Sequence, residues 1–237
     1  MSQRLEFPGL FNARDLGGYP TLDGQLTRTG SLVRADDLAQ LTSEGLRALE
    51  DYGIETVVDL RWPEEASRDP NPVPGRLPRI RFEHISLLTH TEDEWRLRSR
   101  DVAKELWKVI VLERVQLELR RVLSVIAHAS PGGLLFHCVA GKDRTGLIAA
   151  LLLTLADVEP RSIASDYAQS TENLREEYLK RYAGAEPARI LEALRCPEDG
   201  AYNMLKFLEN AGGIRAYLLE IGLTMAEIGA LRARLRA

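Results

Sequence analysis

The chain predicts an α/β protein, a three-layer sandwich in which a small, mainly parallel central sheet lies between layers of helices. Three observations predict it. Apolar, β-branched segments alternate along the chain with segments of helical periodicity, the order that builds a parallel sheet through helical crossovers. The first pair is explicit: Thr42 to Tyr52 reads as a helix, Gly53 as its C-terminal glycine cap, and Ile54 to Leu60 as a buried strand. The third observation is an apolar strand, Gly133 to Cys138, that passes through a glycine-containing loop into an apolar helix, Leu147 to Ala156. Ligands of such sheets bind beyond the carboxyl ends of the strands. Cys138 stands at such an end.

The remaining elements follow in order. The proline-rich stretch Pro63 to Pro78 reads as an extended surface loop, because its prolines remove backbone donors and disfavour helix before them. Arg79 to Leu87 alternates as a second strand. Asp93 to Ala129 carries Trp95, Val102, Leu106, Val109, Ile110, Leu117 and Val125 at helical spacing, as one bent helix or two. Pro160 to Gln169 reads as a helix with proline in its first turn, and Thr224 with Glu227 forms a capping box opening the last helix. The charged stretches Glu172 to Arg181 and Arg232 to Arg236 read as solvated helix faces, the first alternatively as part of a cover over the site. No repeat divides the chain, and one domain is expected over 1–237.

Composition excludes several function classes. With 237 residues, 45% apolar and 28% charged, the chain can bury one substantial core. A net charge of -4 gives no general attraction for nucleic acid or an anionic membrane, so an anionic substrate must be captured locally. The longest apolar stretch, Leu147 to Leu155, is about half the roughly 20 residues that span a bilayer, so no integral membrane association is expected. Residues Met1 to Gly9 carry Arg4, Glu6 and Pro8 in place of an apolar signal core. A cytoplasmic location is therefore expected, with export by a route lacking a cleavable signal left open. Two cysteines, Cys138 and Cys196, make no disulfide framework, and Cys196 reads as a passive thiol. The four histidines show no close ligand spacing, so neither metal nor cofactor is expected.

The chemistry concentrates in Leu134 to Gly146, L-L-F-H-C-V-A-G-K-D-R-T-G. Five residues separate Cys138 from Arg144, enough for the backbone to curl so that its N–H groups converge on one anion, while the following helix aims its positive end at the same point. The phosphate-binding set is then Val139, Ala140, Gly141, Lys142, Asp143, Arg144 and Thr145. A thiol attacks phosphorus only as a thiolate, and these groups stabilise that charge, which makes Cys138 the candidate nucleophile. Arg144 supplies a planar fork for two equatorial oxygens of the transferring group, a match that lysine lacks. Thr145 either donates a hydrogen bond to the sulfur or simply begins the helix, and His137 fixes the loop. A Walker nucleotide loop is excluded, because Phe136 stands where its first glycine belongs and Asp143 replaces its Ser or Thr. The leaving oxygen needs a proton, and two carboxyls qualify: Asp143 inside the loop and Asp59 at the end of the preceding parallel strand. Each has a structural alternative, Asp143 bracing the loop against Lys142 or Arg14 and Asp59 pairing with Arg61. Trp62 to Glu64, W-P-E, resembles a mobile W-P-D acid loop, with Glu64 as a weaker candidate.

His137 to Arg144 resembles the H-C-x5-R signature of cysteine-dependent protein tyrosine and dual-specificity phosphatases. The fuller H-C-x-A-G-K-D-R-T-G is similar to their bacterial branch, that of a mycobacterial tyrosine phosphatase and a Listeria lipid phosphatase. Asn12 to Tyr19, N-A-R-D-L-G-G-Y, carries the resemblance beyond the loop, as do Arg28 to Ala35, Val57 to Arg61, Asp166-Tyr167, and Gly212 to Ile214 with Tyr217-Leu218. The resemblance implies a phosphocysteine intermediate, no metal, and activity on phosphotyrosine proteins, in some members also on phosphoserine, phosphothreonine and phosphoinositides; the Lys142-Asp143 pair matches the one associated in this branch with broad specificity, and the related loops of lipid phosphatases point to inositides. It also assigns the acid alternatively to Asp59 or Asp143, and makes 171–196 the counterpart of a helical lid. Two readings compete: a phosphatase restricted to inositol phosphates or phosphoinositides, and a catalytically silent phosphate-binding module. Intact Cys138 and Arg144 argue against silence.

Overall fold

The computed structural model describes residues 4–88 and 112–236. A five-stranded sheet forms from β1 (Arg14–Asp15), β2 (Leu32–Ala35), β3 (Ile54–Asp59), β4 (Arg81–His84) and β5 (Gly133–His137), in the order β1-β2-β5-β3-β4. Only the β1–β2 pair is antiparallel. The central register sets Ala35 and Asp59 both opposite His137, so β2, β3 and β5 end together at one edge.

Both faces of the sheet are covered, and the period-2 alternation of the strands sorts residues between them. Leu32, Val58, Leu134 and Phe136 face the larger core, built with α4 (Gln116–His128), α5 (Asp143–Leu155), α9 (Ile214–Glu220) and α10 (Met225–Leu235). Val33, Ala35, Val57 and Leu135 face the smaller one, with α1 (Ser43–Asp51) and the amino-terminal residues Leu5, Phe7 and Leu10. The sandwich expected from the sequence is thus the one that forms. Gly53 closes α1 at φ +87°, in the left-handed region where glycine carries no Cβ penalty.

The stretch Pro63 to Pro78 departs from the extended loop expected of it. It contains two short helices, α2 (Pro63–Arg68) and α3 (Val73–Arg76). Their prolines sit in first turns, where the fixed φ suits the helix and the missing N–H would be unpaired in any case. The Glu65 carboxylate accepts from the Trp62 N–H at 2.8 Å and so reinforces the start of α2. The expected strand Arg79 to Leu87 shortens to β4 at the sheet edge. Of the helical reading of Asp93 to Ala129, α4 lies among the described residues and 93–111 lie outside them. The expected helix Pro160 to Gln169 continues to Arg181 as α6 (Pro160–Arg181), followed by α7 (Pro187–Leu194) and α8 (Glu198–Asn210). Among the described residues no helix is long and apolar enough to cross a membrane.

Candidate active site

The loop 138–142 leaves the carboxyl end of β5 and enters α5 at Asp143. Its shape is set by where its carbonyl groups go. The Val139 oxygen accepts from Asp37 N at 3.0 Å, and the Ala140 oxygen from Asn12 Nδ2 at 3.0 Å. The Gly141 oxygen accepts from Arg34 NH2 at 2.6 Å and Asn12 Nδ2 at 3.2 Å. Lys142 O takes the Gly146 N–H, the first bond of the helix, at 2.8 Å. No acceptor among the described residues takes the N–H groups of Val139, Ala140, Gly141 or Lys142. The carbonyls are thus bonded to the brace and the amides are without acceptors, the arrangement expected of a backbone nest, at the N-terminus of a 13-residue helix. Gly141 makes the turn possible: its φ is +61°, and a Cβ there would lie 2.4 Å from the Ala35 carbonyl oxygen.

The brace behind the loop is ionic. Arg14 and Arg34, both fully buried, share the carboxylate of Asp166 on α6, and Tyr19 donates to it at 2.7 Å. Arg14 also donates to Asn12 Oδ1, orienting the amide that holds the loop carbonyls. Burial works against a charged Asp166, and the two guanidiniums outweigh it, bringing its pKa down to about 2. Two cations against one anion leave this cluster net positive beneath an anion site.

Cys138 lies at the base of the nest with 2% of its surface exposed. Thr145, one residue past Arg144, buries a hydroxyl that has no hydrogen-bond partner among the described residues. Arg144 forms a paired contact with Glu65, NH1 to Oε2 at 2.5 Å and NH2 to Oε1 at 2.9 Å, and its guanidinium lies 5.1 Å from the centre of the Trp62 ring. His137 is fully buried against Asn71 Nδ2 at 3.0 Å and Cys138 O at 3.2 Å, in keeping with a role in fixing the loop.

The two carboxyls proposed as acids diverge. Asp59 is fully buried, gripped by Arg61 through NE at 3.0 Å and NH2 at 2.7 Å, with His137 Nε2 at 3.5 Å. Burial opposes its charge, but His137 and Arg61 prevail and hold the carboxyl far below the usual carboxylate range. Arg61 in turn reaches Asp37 at 2.9 Å, whose own N–H holds Val139 O, so Asp59 anchors a chain of contacts under the loop. This is the Asp59–Arg61 pair that the sequence offered as the structural alternative. Asp143 stands at the mouth of the loop with 42% of its side chain exposed, accepting from the Tyr167 hydroxyl at 2.9 Å and 3.4 Å from Lys142 Nζ. Glu64 faces solvent on α2, away from Glu65.

Lys142 leaves the nest. Its Nζ donates to the carbonyl of Ala193 in α7 at 2.7 Å, and Asp143 outweighs burial to raise its pKa. A third, small apolar cluster joins Ala140 of the loop to Phe11, Leu174, Tyr178, Ile190 and Leu194. Asn173 Nδ2 donates to Asn12 Oδ1 at 3.1 Å. The end of α6 and α7 are therefore fastened to the loop and its brace. Among the described residues no group of His, Cys, Asp and Glu could hold a metal ion.

Three contributors were not singled out by residue type alone. Arg34 had a visible signal, a charge inside an otherwise apolar buried strand, L-V-R-A. Glu65 had one in its place in the first turn after Pro63, where a carboxylate can turn back to accept the N–H of the residue that precedes the helix. Asn12 had none beyond its motif.

A cysteine at the start of this loop, with an arginine at its other end, is the arrangement expected of a cysteine-dependent phosphatase. Residues 5–237 match the tyrosine phosphatase family, and the chain belongs to that family. A tyrosine-protein phosphatase of Nostoc commune is 32% identical over 224 residues, 86% of this chain and 74% of the relative. The triple specificity protein phosphatase PtpB of Mycobacterium tuberculosis is 26% identical, the match covering 90% of this chain and 85% of that protein. Among solved structures, TpbA of P. aeruginosa is 18% identical over 81% of this chain and 95% of that chain, with a TM-score of 0.37.

Proposed function

We propose that this phosphatase hydrolyses phosphotyrosyl side chains through a phosphocysteine intermediate. The observation that carries the reading is the loop from Cys138 to Arg144, in which the carbonyls of 139–141 are bonded to the brace while the N–H groups of 139–142 have no acceptor among the described residues. In the first step the Cys138 thiolate forms a bond to phosphorus and the bond from phosphorus to the tyrosyl oxygen breaks. The Asp143 carboxyl protonates that oxygen as it leaves. In the second, the Asp143 carboxylate accepts a proton from water as the water oxygen attacks phosphorus, and the sulfur leaves as thiolate with Thr145 as its hydrogen-bond donor. Arg144, the amides of 139–143 and the N-terminus of α5 hold the charge spread over the equatorial oxygens. Asp143 takes the acid role because it is exposed at the mouth, whereas Asp59 is committed to Arg61. Residues 171–196 act as a lid that must part from Ala140 and Lys142 to admit a protein substrate.

A phosphoinositide preference would call on Lys142 as a second phosphate ligand once the lid releases it from the Ala193 carbonyl. Turnover of phosphotyrosine peptides, phosphoserine peptides and phosphoinositides, compared under one set of conditions, tests this: phosphotyrosine peptides should have the highest kcat/KM. Cys138→Ser should abolish turnover while retaining vanadate binding. Undiminished turnover in that variant, or a phosphoinositide as the best substrate, overturns the proposal.

A further inference from the structure

The two residues of Asp166-Tyr167 serve different neighbours. Asp166 belongs to the brace, held by Arg14, Arg34 and Tyr19. The Tyr167 side chain reaches the phosphate loop instead, its hydroxyl donating to Asp143 Oδ1 at 2.9 Å. Only 3% of Tyr167 is exposed. Its approach depends on Gly146, which stands three residues after Asp143 on α5 and so shares its face. A Cβ at Gly146 would lie 3.1 Å from Tyr167 Cδ2. The missing side chain lets the ring lie close against α5 and bring its hydroxyl to the first turn.

Burial, and then the Asp143 charge, push the Tyr167 phenol far above its usual range, so it keeps its proton and remains a donor in neutral and mildly alkaline solution. Asp143 has a second neighbour, Lys142, whose Nζ lies 3.4 Å from Oδ2. That ammonium is tied to the Ala193 carbonyl, within the segment read as a lid, so its place depends on the lid. Tyr167 stands before that segment, beside a residue held by two buried guanidiniums. Its hold on Asp143 belongs to the body of the fold.

We propose that Tyr167 is a positioning residue for proton transfer: by donating to Oδ1 of Asp143 it fixes the carboxyl at the mouth of the loop and leaves Oδ2 to carry the reacting proton. This rests on the reading of Asp143 as the general acid. An oxygen that already accepts a hydrogen bond is the poorer site for a proton, so the two oxygens become inequivalent. The proton passes from Oδ2 to the tyrosyl oxygen in the first step and returns from water in the second, while the phenol proton stays on Tyr167. A carboxyl that is 42% exposed and unheld would swing between the mouth and bulk water, and misplacement of the acid costs rate. A purely structural bond would tie α6 to α5 and lend stability alone.

Tyr167→Phe removes the hydroxyl and keeps the ring against Gly146. The measurements are kcat and KM across pH, on aryl phosphates of graded leaving-group ability, with Tm in parallel. On phenyl phosphate, a poor leaving group, kcat should fall roughly 10-fold, and on a nitrophenyl phosphate, which needs little protonation, by less than about threefold. KM should change less than kcat. The alkaline limb of the kcat profile should move up by roughly half a unit to one unit, because a carboxylate that loses a donor holds its proton more tightly. If kcat falls equally for good and poor leaving groups, or does not fall, or the limb stays in place, the positioning role is overturned. Asp143→Asn tests the underlying reading separately: an alkaline limb and a leaving-group dependence both unchanged in that variant overturn Asp143 as the acid. With Asp143 as the acid, adding Tyr167→Phe to Asp143→Asn should steepen the leaving-group dependence no further. Further steepening would show that Tyr167 acts on the leaving oxygen by another route and would overturn the proposal.

Discussion

Replacing Asn12 by aspartate separates the brace of the phosphate loop from the loop itself. Asn12 is fully buried and touches no candidate catalytic atom, yet its Nδ2 donates to the carbonyls of Ala140 and Gly141 at 3.0 and 3.2 Å. Its Oδ1 accepts from Arg14 and from Asn173. Aspartate keeps the acceptor side and loses both donations, while setting a negative charge against two carbonyl oxygens. Each lost bond is worth about 0.5–1.5 kcal/mol net, so about 1–3 kcal/mol of stability should go, with Arg14 moderating the cost of the new charge. At this chain length about 2 kcal/mol corresponds to a Tm drop of about 4–8 °C. The functional loss should be larger than the stability loss suggests. A freed carbonyl can turn inward, replacing an N–H that attracts the phosphoryl oxygens by an oxygen that repels them, and loss of one such donor costs on the order of 10²-fold in kcat. The assay is turnover of an aryl phosphate with vanadate affinity and thermal unfolding measured in parallel. A variant that loses the expected stability yet keeps kcat and vanadate affinity within twofold would refute the argument that outward carbonyls create the anion site.

Two further outcomes are expected. Asp143→Asn should remove the alkaline limb of the kcat profile and hurt substrates with poor leaving groups most, whereas Asp59→Asn should lower Tm and change activity through loop disorder without that leaving-group signature; the reverse pattern would hand the acid role to Asp59. Asp36, buried beneath the loop with Phe11 N and Asn12 N on its carboxylate, has its pKa raised by burial to about 6. The folded protein therefore holds that proton more tightly than the unfolded chain does, so the stability it contributes is present below about pH 4 and is lost as pH rises through about 6. The unfolding free energy of the wild type relative to Asp36→Asn should fall by on the order of 3 kcal/mol between pH 4 and pH 7, and a flat difference across that window would sink the assignment.

The legible parts of the site were those carried by local chain geometry. The spacing from Cys138 to Arg144, between an apolar strand and an apolar helix, required a tight loop at the carboxyl edge of a sheet, and that is where it lies. Gly53 and the Thr224–Glu227 capping box were legible for the same reason: both act within a few residues. Pro63 to Pro78 misled, because a proline says that a helix does not continue through it and is silent on whether one begins there. Asp59 and Asp143 were indistinguishable as carboxyls at one sheet edge. What divides them is burial: Asp59 is fully buried in the Arg61 pair that the sequence offered as its alternative, whereas Asp143 is 42% exposed beside Tyr167 and Lys142, and burial is not written in a neighbouring residue.

The sequence by itself determined the sandwich, the position of the loop and the residue types able to bind and attack a phosphoryl group, because periodicity, capping and loop spacing are local properties. Tertiary structure decided what each charge does. Asn12, Arg34 and Asp166 are far apart along the chain, yet together they hold the loop carbonyls outward. Lys142, which the sequence offers as a phosphate ligand, is claimed by a carbonyl 51 residues away. Arg144 is paired with Glu65, 79 residues earlier. A buried charge must take whatever counter-charge folding places within about 3 Å of it, and that choice belongs to the packed molecule.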